Sequence, residues 1–575
     1  MSDKDRRGRV KDPLDVPSQP FLEEQLHGDT VKKLPAPGRA RRRAEGSAAI
    51  DAAAQLITRR APVPLNQLPD EIVQSVDALQ PSERRLHGSK FSLAYFPGPR
   101  LRSPCADMFG YLSTPRVRAS TKLPFTPASR AMLMALGSAM AAPGRDAPLP
   151  DSSIDAGLTY IGQFIDHDIT LDVSSSLDIP TDAETIHNMR SPSLDLDSMY
   201  GRGPALDPFL FDMPGPGANP TAIKMQLGTN TPTGPGGPGG PGGLGGMVAH
   251  VDRDVPRLAA PSHTAIIGDP RNDENLVVVQ FHMAMLRFHN AVVDAVVASG
   301  FSGDVFVEAK QIVTRHYQWA VVHDFLTAVC GAPAVASALA SVSAPLNSAF
   351  RMPVEFSVAA FRFGHSMIRD RYWVSFNFPG ATLGDVFAFN RNPNLPVLSN
   401  WVVDFNAFLP TGVPVPVFNK ARKIDTGLAN GLTALPGFTG MMADLATRNL
   451  LRSLALGLPS GQGMAKLFGL TPLTAAELTL GLPPDELNAL TAGDQRLLKR
   501  TPLWYYILRE SAVLENGDQL GPVGGRIVAE TFVRMLKRDP DSFLNATGFA
   551  PFLPSTVVGS FTFTDLVVFA GANLP

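Results

Sequence analysis

The stretch Gly162-Gln-Phe-Ile-Asp-His-Asp168 sets a histidine between two carboxylates inside an otherwise apolar run. On a helix, adjacent side chains diverge by about 100°, so Asp166, His167 and Asp168 point in three directions and serve three partners. In an apolar setting each needs one, because an unpaired buried charge is very costly. A salt-bridged surface turn would carry the same three residues, since charges prefer water. The blocks that follow along the chain decide between the two readings.

Ser191-Pro-Ser-Leu-Asp-Leu-Asp-Ser-Met-Tyr-Gly201 places oxygen-bearing side chains at Ser191, Ser193, Asp195 and Asp197, each two residues from the next. An extended segment aims alternate side chains the same way, which predicts four oxygen donors on one side. Such a set suits a hard cation such as calcium, which takes roughly six to eight oxygens; a polar-faced edge strand shows the same alternation. Gly268-Asp-Pro-Arg-Asn-Asp-Glu-Asn275 then leads into a helical stretch, with Arg271 and Glu274 three apart and therefore on one helix face. Phe361-Arg-Phe-Gly-His365 repeats that spacing with Arg362 and His365, and the last block is Arg448-Asn449 with Arg452, followed by Gly457-Leu-Pro-Ser-Gly-Gln462.

Taken singly these blocks are weak. In this order, from about Tyr160 to Gln462, the chain resembles the animal-type haem peroxidases of the peroxidase-cyclooxygenase superfamily, and more closely its bacterial branch. The resemblance implies a mainly α fold with long loops around a buried haem. It implies that His167 is the distal base, Arg271 the distal arginine and Gln163 a residue of the halide or peroxide pocket. His365 would be the proximal ligand to haem iron, with Arg362 one turn before it and Asn449 accepting a hydrogen bond from the other ring nitrogen. Asp166 and Glu274 stand where family members form ester bonds to haem methyl groups, so a haem b derivative attached through esters is implied. Asn275 replaces the methionine that makes a third link in one mammalian subgroup, and that link is expected to be absent. Asp168 matches the family's calcium ligand on the distal helix, joining Ser191, Ser193, Asp195 and Asp197.

The chemistry of these residue types suits the implied roles. A neutral imidazole takes a proton from peroxide and returns it to the leaving oxygen. A guanidinium stays charged at any working pH and stabilises negative charge as the O–O bond breaks. The implied function is a haem peroxidase that reduces hydrogen peroxide and oxidises a small electron donor such as halide, thiocyanate or a phenol. Two other classes share the superfamily. A cyclooxygenase-like fatty-acid dioxygenase uses a tyrosine three residues before the proximal histidine, where this chain has Arg362. A non-catalytic adhesion or scaffold relative is expected to have lost His167, Arg271 or His365, and all three are present.

Composition agrees. Proline numbers 52 in 575 residues, well above the usual ~5%, as expected of helices joined by long stiff loops. The net charge of −2 gives no electrostatic reason to expect nucleic acid. Two cysteines, Cys105 and Cys330, exclude a disulfide framework. Residues 1–85 read as an N-terminal extension, partly disordered, and 86–575 as the catalytic domain, with a Pro/Gly-rich flexible insertion at 214–246. The cluster Arg39-Ala-Arg-Arg-Arg43 reads as a solvated basic tail. Met1–Pro20 lacks an apolar signal region, and no run reaches ~18 consecutive apolar residues. The expectation is therefore a cytoplasmic protein, or one secreted without a recognisable signal peptide, with no transmembrane segment and a monomer as default. Helices are predicted over Leu276–Ser299, Val307–Val329 and Arg526–Lys537. The pairs His282/His289 and His316/His323 are seven apart, two turns or about 10 Å. That is too far for two ligands of one ion without other elements, so they read as core or interface histidines.

Overall fold

A computed structural model describes residues 108–141, 151–172, 175, 177–230, 253–259, 263–391, 396–435 and 443–573. The expected extension over 1–85, the basic cluster, Cys105 and the Gly-Gly-Pro repeats of the insertion lie outside the described residues. Helices dominate, joined by long connections.

Helix α1 (Ala156–Ile169) is buried on nearly every side. Its N-terminus carries no side-chain cap; the amides of Ala156 and Gly157 donate instead to the carbonyls of Asn419 and Phe408. Gly157 is required there, since a Cβ would lie 2.6 Å from the Phe408 carbonyl oxygen. α2 (Leu276–Ala298) starts where Asn275 accepts from Val278 N, the N-cap its side chain predicts. α3 (Val305–Ala320) continues through one π turn, Val321–Phe325, and a last helical turn, Leu326–Cys330, before Gly331 ends it at φ +80°. The predicted helix over Val307–Val329 is thus one rod with a bulge.

α1 and α3 pack against α2. By length and composition α2 is apolar enough to cross a bilayer, yet 83% of its most apolar stretch is buried inside the protein. α4 (Leu445–Ala455) packs on the helix Pro127–Met140. α5 (Leu503–Leu514) and α6 (Pro522–Arg538) back the segment that carries His365. α6 begins four residues earlier than its amphipathic pattern suggests, because Pro522 is pre-set for the first helical position.

Strands among the described residues form four two-stranded pairs. Phe109–Gly110 runs parallel to Met352–Pro353; Asp151–Asp155 pairs antiparallel with Lys420–Arg422, Phe211–Asp212 with Lys224–Met225, and Arg371–Tyr372 with Ala381–Thr382. The third pair falls partly inside the expected flexible insertion. Its first half is a short hairpin, tied to α2 by Asn290, which hydrogen-bonds both the N–H and the carbonyl of Met225.

Candidate active site

Along α1 every residue is buried except Gly162, Gln163 and Asp166. Their i, i+1, i+4 spacing makes one strip of that helix the wall of an opening. The Asp-His-Asp triplet therefore sits in a buried helix rather than a surface turn. His167 is 5% exposed, and its Nδ1 lies 2.8 Å from Asn272 Oδ1. Its Nε2 makes no hydrogen bond to the described residues.

The loop Asp269–Asn275 holds this wall in place. Pro270–Asp273 is a turn of 3-10 helix whose cap is Asp269, accepting from Arg271 N. Asp269 is fully buried and grips the Arg271 fork through Nε at 3.1 Å and Nη2 at 2.8 Å, while Arg190 Nε reaches the same carboxylate at 2.7 Å. Burial opposes its ionisation, but the two guanidiniums outweigh that and bring the carboxyl down to about 2. Arg271 Nη2 also donates to the His167 carbonyl at 3.0 Å, and Asn275 Nδ2 donates to Gln163 Oε1 at 3.1 Å. Burial, and after it the Arg271 charge, pushes the His167 imidazole below its ordinary value against the pull of Glu274, Asp166 and Asp269. The ring is thereby kept neutral with a guanidinium beside it.

The facing wall is irregular. Glu355–Ala359 winds as a π turn and Ala360–Met367 as 3-10 helix. Three residues per turn bring Arg362 and His365 onto one face. Asn449, on α4, places its Nδ2 2.8 Å from His365 Nδ1, and its Oδ1 accepts from Arg362 Nη1 at 3.4 Å. The pairing is the one expected, but the amide is turned the other way: nitrogen, not oxygen, faces the ring. Trp504 on α5 donates to the Arg362 carbonyl at 3.1 Å. Burial, then Arg362, pushes the His365 imidazole down to about 3. Arg362 itself falls to about 10, through burial and then the charges of Arg452 and Arg448, against Asp166. Arg362 and His365 keep part of their surface accessible although burial governs their ionisation, as side chains do when they border an internal space. A Cβ at Gly364 would meet nothing within 4 Å. The Asp166 charge raises the pKa of both Arg271 and Arg362, so it acts on both walls.

A second cluster lies on the far side of α1. Carboxylate oxygens of Asp168, Asp195 and Asp197 all fall within 4.8 Å of one another. Asp168 is fully buried and accepts from Leu196 N, Ser198 N and Ser198 Oγ at 3.1–3.4 Å. Burial, then Asp197 and Asp195, drives its carboxyl well above the ordinary range, and Asp195 Oδ1 is buried without a partner. The segment is not the extended strand expected: it bends, with Leu196 at φ +59°, and Asp197 opens a short helix. Ser191 donates its N–H to Asp197 and its hydroxyl to Asp195, whereas Ser193 is buried without a hydrogen bond to the three carboxylates. Gly268 lets the arginine loop approach this segment, since a Cβ there would lie 2.5 Å from Ser198 O.

The donor sets fit both groups that the motifs imply. An imidazole with a free nitrogen at an internal space, opposite a neutral histidine and a guanidinium, suits haem iron and peroxide. Three converging carboxylates, that of Asp168 fully buried and the other two half-buried, suit a hard cation. Asp269, Asn272, Arg190 and His282 were not expected in the site, and Asn275 was expected there only as the position of the missing third link. The only signal for Asp269 is its capping position before a helical turn.

The family model described as "Animal haem peroxidase" matches residues 246–551. That range takes in Arg271, Glu274, Arg362, His365 and Asn449 but not His167 or the three clustered carboxylates. Heme peroxidase 2 of Caenorhabditis elegans is 26% identical over 305 residues, 49% of this chain and 40% of the relative. Dual oxidase of Drosophila melanogaster is 24% identical over 313 residues, 50% of this chain and 19% of the relative. The chain thus spans less than half the length of these curated relatives. Both are animal proteins, and neither bears on the bacterial branch. Fatty acid alpha-dioxygenase of Oryza sativa has the same fold at a TM-score of 0.53, with 12% identity over 92% of each chain.

Proposed function

The chain belongs to the animal haem peroxidase family, and from that premise we propose that it is a haem peroxidase, reducing hydrogen peroxide at the expense of halide, thiocyanate or a small phenol. The observation that carries this reading is the neutral His167, its Nδ1 taken by Asn272 and its Nε2 left free beside the Arg271 guanidinium. Haem, when bound, supplies the redox centre that accepts oxidising equivalents from peroxide and passes them to the donor. His365 would hold it on the proximal side. Held through Nε2, the ring would keep its proton on Nδ1 and would need Oδ1 of Asn449 opposite it, the reverse of the present amide. On the distal side, His167 Nε2 would take the peroxide proton and return it to the departing oxygen, while Arg271, clamped by Asp269, would meet the developing negative charge.

Asp166 and Glu274 are the carboxylates available for ester links. Asp166 lies on the accessible strip of α1 with Thr170 Oγ1 at 2.8 Å from its Oδ1, and Glu274 follows the Arg271 turn. Denaturing mass spectrometry of peroxide-treated protein should find haem on peptides containing these two residues; complete release of unmodified haem would refute the links. Asp168, Asp195 and Asp197 would hold calcium. The fold likeness to a dioxygenase does not support that chemistry here, because Arg362 occupies the position three residues before His365. The functional test is the absorption spectrum of haem-loaded protein before and after peroxide, then with bromide, iodide, thiocyanate or a phenol. A change with peroxide and its reversal by one of these donors is expected. A spectrum that does not respond to peroxide, or recovers with none of them, rules the reading out.

A further inference from the structure

Asn272 and His282 are both fully buried, at 0% exposure, between α1 and α2. Asn272 offers its Oδ1 to His167 Nδ1 at 2.8 Å and its Nδ2 to His282 Nδ1 at 3.0 Å. His282 lies on α2, two turns into the helix from Asn275, with the Phe164 ring edge-on at 5.8 Å. Its Nε2 is buried without a partner. It is thus more than the core filler its spacing from His289 suggests.

A carboxamide has one acceptor end and one donor end, so it fixes opposite proton placements on the two rings it joins. With Nδ2 toward His282, that ring must present a lone pair at Nδ1. With Oδ1 toward His167, that ring must carry its proton at Nδ1, which leaves the Nε2 lone pair for the opening. A reversed amide would reverse both rings and put an N–H where the base must be. We infer that His282 is a positioning residue of the distal histidine: through Asn272 it sets which nitrogen of His167 carries the proton. Burial pushes the His282 imidazole down to about 3, which keeps the ring neutral and able to accept. The inference rests on the peroxidase reading only for its effect on rate; the proton placement stands on the hydrogen bonds alone.

The experiment uses the full-length haem-loaded protein and two variants. His282→Asn puts an acceptor oxygen at the same bond distance from Cα as the imidazole Nδ1, whereas His282→Leu fills the space without one. Haem spectra and melting temperature check that each variant folds. In stopped flow with hydrogen peroxide, His282→Leu should react about tenfold more slowly, part of the ~10²- to 10⁴-fold supplied by a positioned acid–base group. His282→Asn should recover most of that rate. In the His167→Ala background His282→Leu should add no further loss, because its effect passes through His167. Nitrogen NMR of protein labelled at the histidine rings, with His167→Ala assigning the signals, reads the tautomer directly. His167 should be protonated at Nδ1 in the parent and in His282→Asn, and should shift toward Nε2 in His282→Leu. Identical His167 signals in the parent and in a folded His282→Leu overturn the inference whatever the kinetics. The expected NMR pattern in a protein inert to peroxide would instead uphold the proton placement and remove the peroxidase reading.

Discussion

On the wall that carries His167, regular helix and one loop, Asp269–Asn275, fix three polar side chains by hydrogen bonds: Asp269 holds Arg271, Asn272 holds His167 and Asn275 holds Gln163. On the wall that carries His365, the backbone is a π turn followed by 3-10 helix, and the ring has a single amide partner, Asn449. The distal groups are set before any ligand arrives, which is where preorganisation most lowers a barrier. The proximal ring depends on packing from α5 and α6 and is completed by what it binds. Damage to the proximal wall should therefore cost the cofactor, and damage to the distal wall should cost the rate.

The largest effect should come from His365→Ala. Stable haem binding should be lost, or the remaining spectrum should show no histidine ligation, while the haem-free fold survives. An unchanged haem spectrum in this variant would place the ligand elsewhere and erase the contrast between the walls. Next, His167→Ala should leave the resting spectrum intact but slow the reaction with peroxide by at least ~10²-fold, the share of a positioned acid–base group. A normal stopped-flow rate would mean that another residue handles the proton.

Asp168→Asn tests whether the distal wall extends to the carboxylate cluster on the far side of α1. With calcium present, the variant should lose the ion and about 3 kcal/mol of stability, the usual cost of breaking a buried charge arrangement. Its peroxide reaction should slow as His167 shifts, with His365 ligation untouched. Metal analysis by mass spectrometry decides it: full activity and full stability without bound calcium would leave the cluster a structural oddity of the bend at Leu196.

The contrast between the walls also explains what could be read from the sequence. His167 and His365 stand out because they are ionisable residues set in apolar runs, whereas Arg271 lies in a polar block and is legible only from its spacing to Glu274 and its place in the order of the motifs; the helices around them follow from apolar spacing. Asn272 carries no such mark. Its two partners lie 105 residues before it and 10 after it, and only the packing of α1 on α2 brings them together. Asn275 caps α2, a local role, but its second contact, to Gln163, is equally tertiary. The oxygen donors at 191–197 were legible as a set and misplaced in conformation. Period-2 spacing predicts a strand, whereas the left-handed Leu196 turns the chain so that Asp195 and Asp197 meet Asp168 across a bend. On the proximal side, the i, i+3 spacing of Arg362 and His365 points to a helix without revealing that it is 3-10, because local spacing does not report which hydrogen-bond ladder the backbone takes.

The smallest expected effect separates the proximal backing from the site itself. Glu510 on α5 is buried and accepts from Val523 N at 2.8 Å and Gly524 N at 3.2 Å, joining α5 to the first turn of α6. Gly521 makes room for it, since a Cβ there would lie 2.4 Å from Glu510 Cγ. Burial raises this carboxyl from 4.5 to about 7, although the two amides pull it down. A group whose pKa is raised by folding contributes its stability fully below the unfolded value and loses it as pH rises through the folded value. Between about pH 4.5 and 7 the unfolded chain ionises while the folded protein keeps its proton, so stability should fall across that window, by up to roughly 3 kcal/mol for a shift of this size. Glu510→Gln keeps an acceptor for the two amides and removes the titration. Denaturant unfolding of haem-loaded parent and variant at about pH 5 and about pH 8 should show a steeper loss in the parent, while peroxide rates at equal haem occupancy coincide. Equal pH slopes would show that Glu510 is ionised in the folded protein as readily as in the unfolded chain, and that α5 meets α6 through a charged rather than a neutral cap.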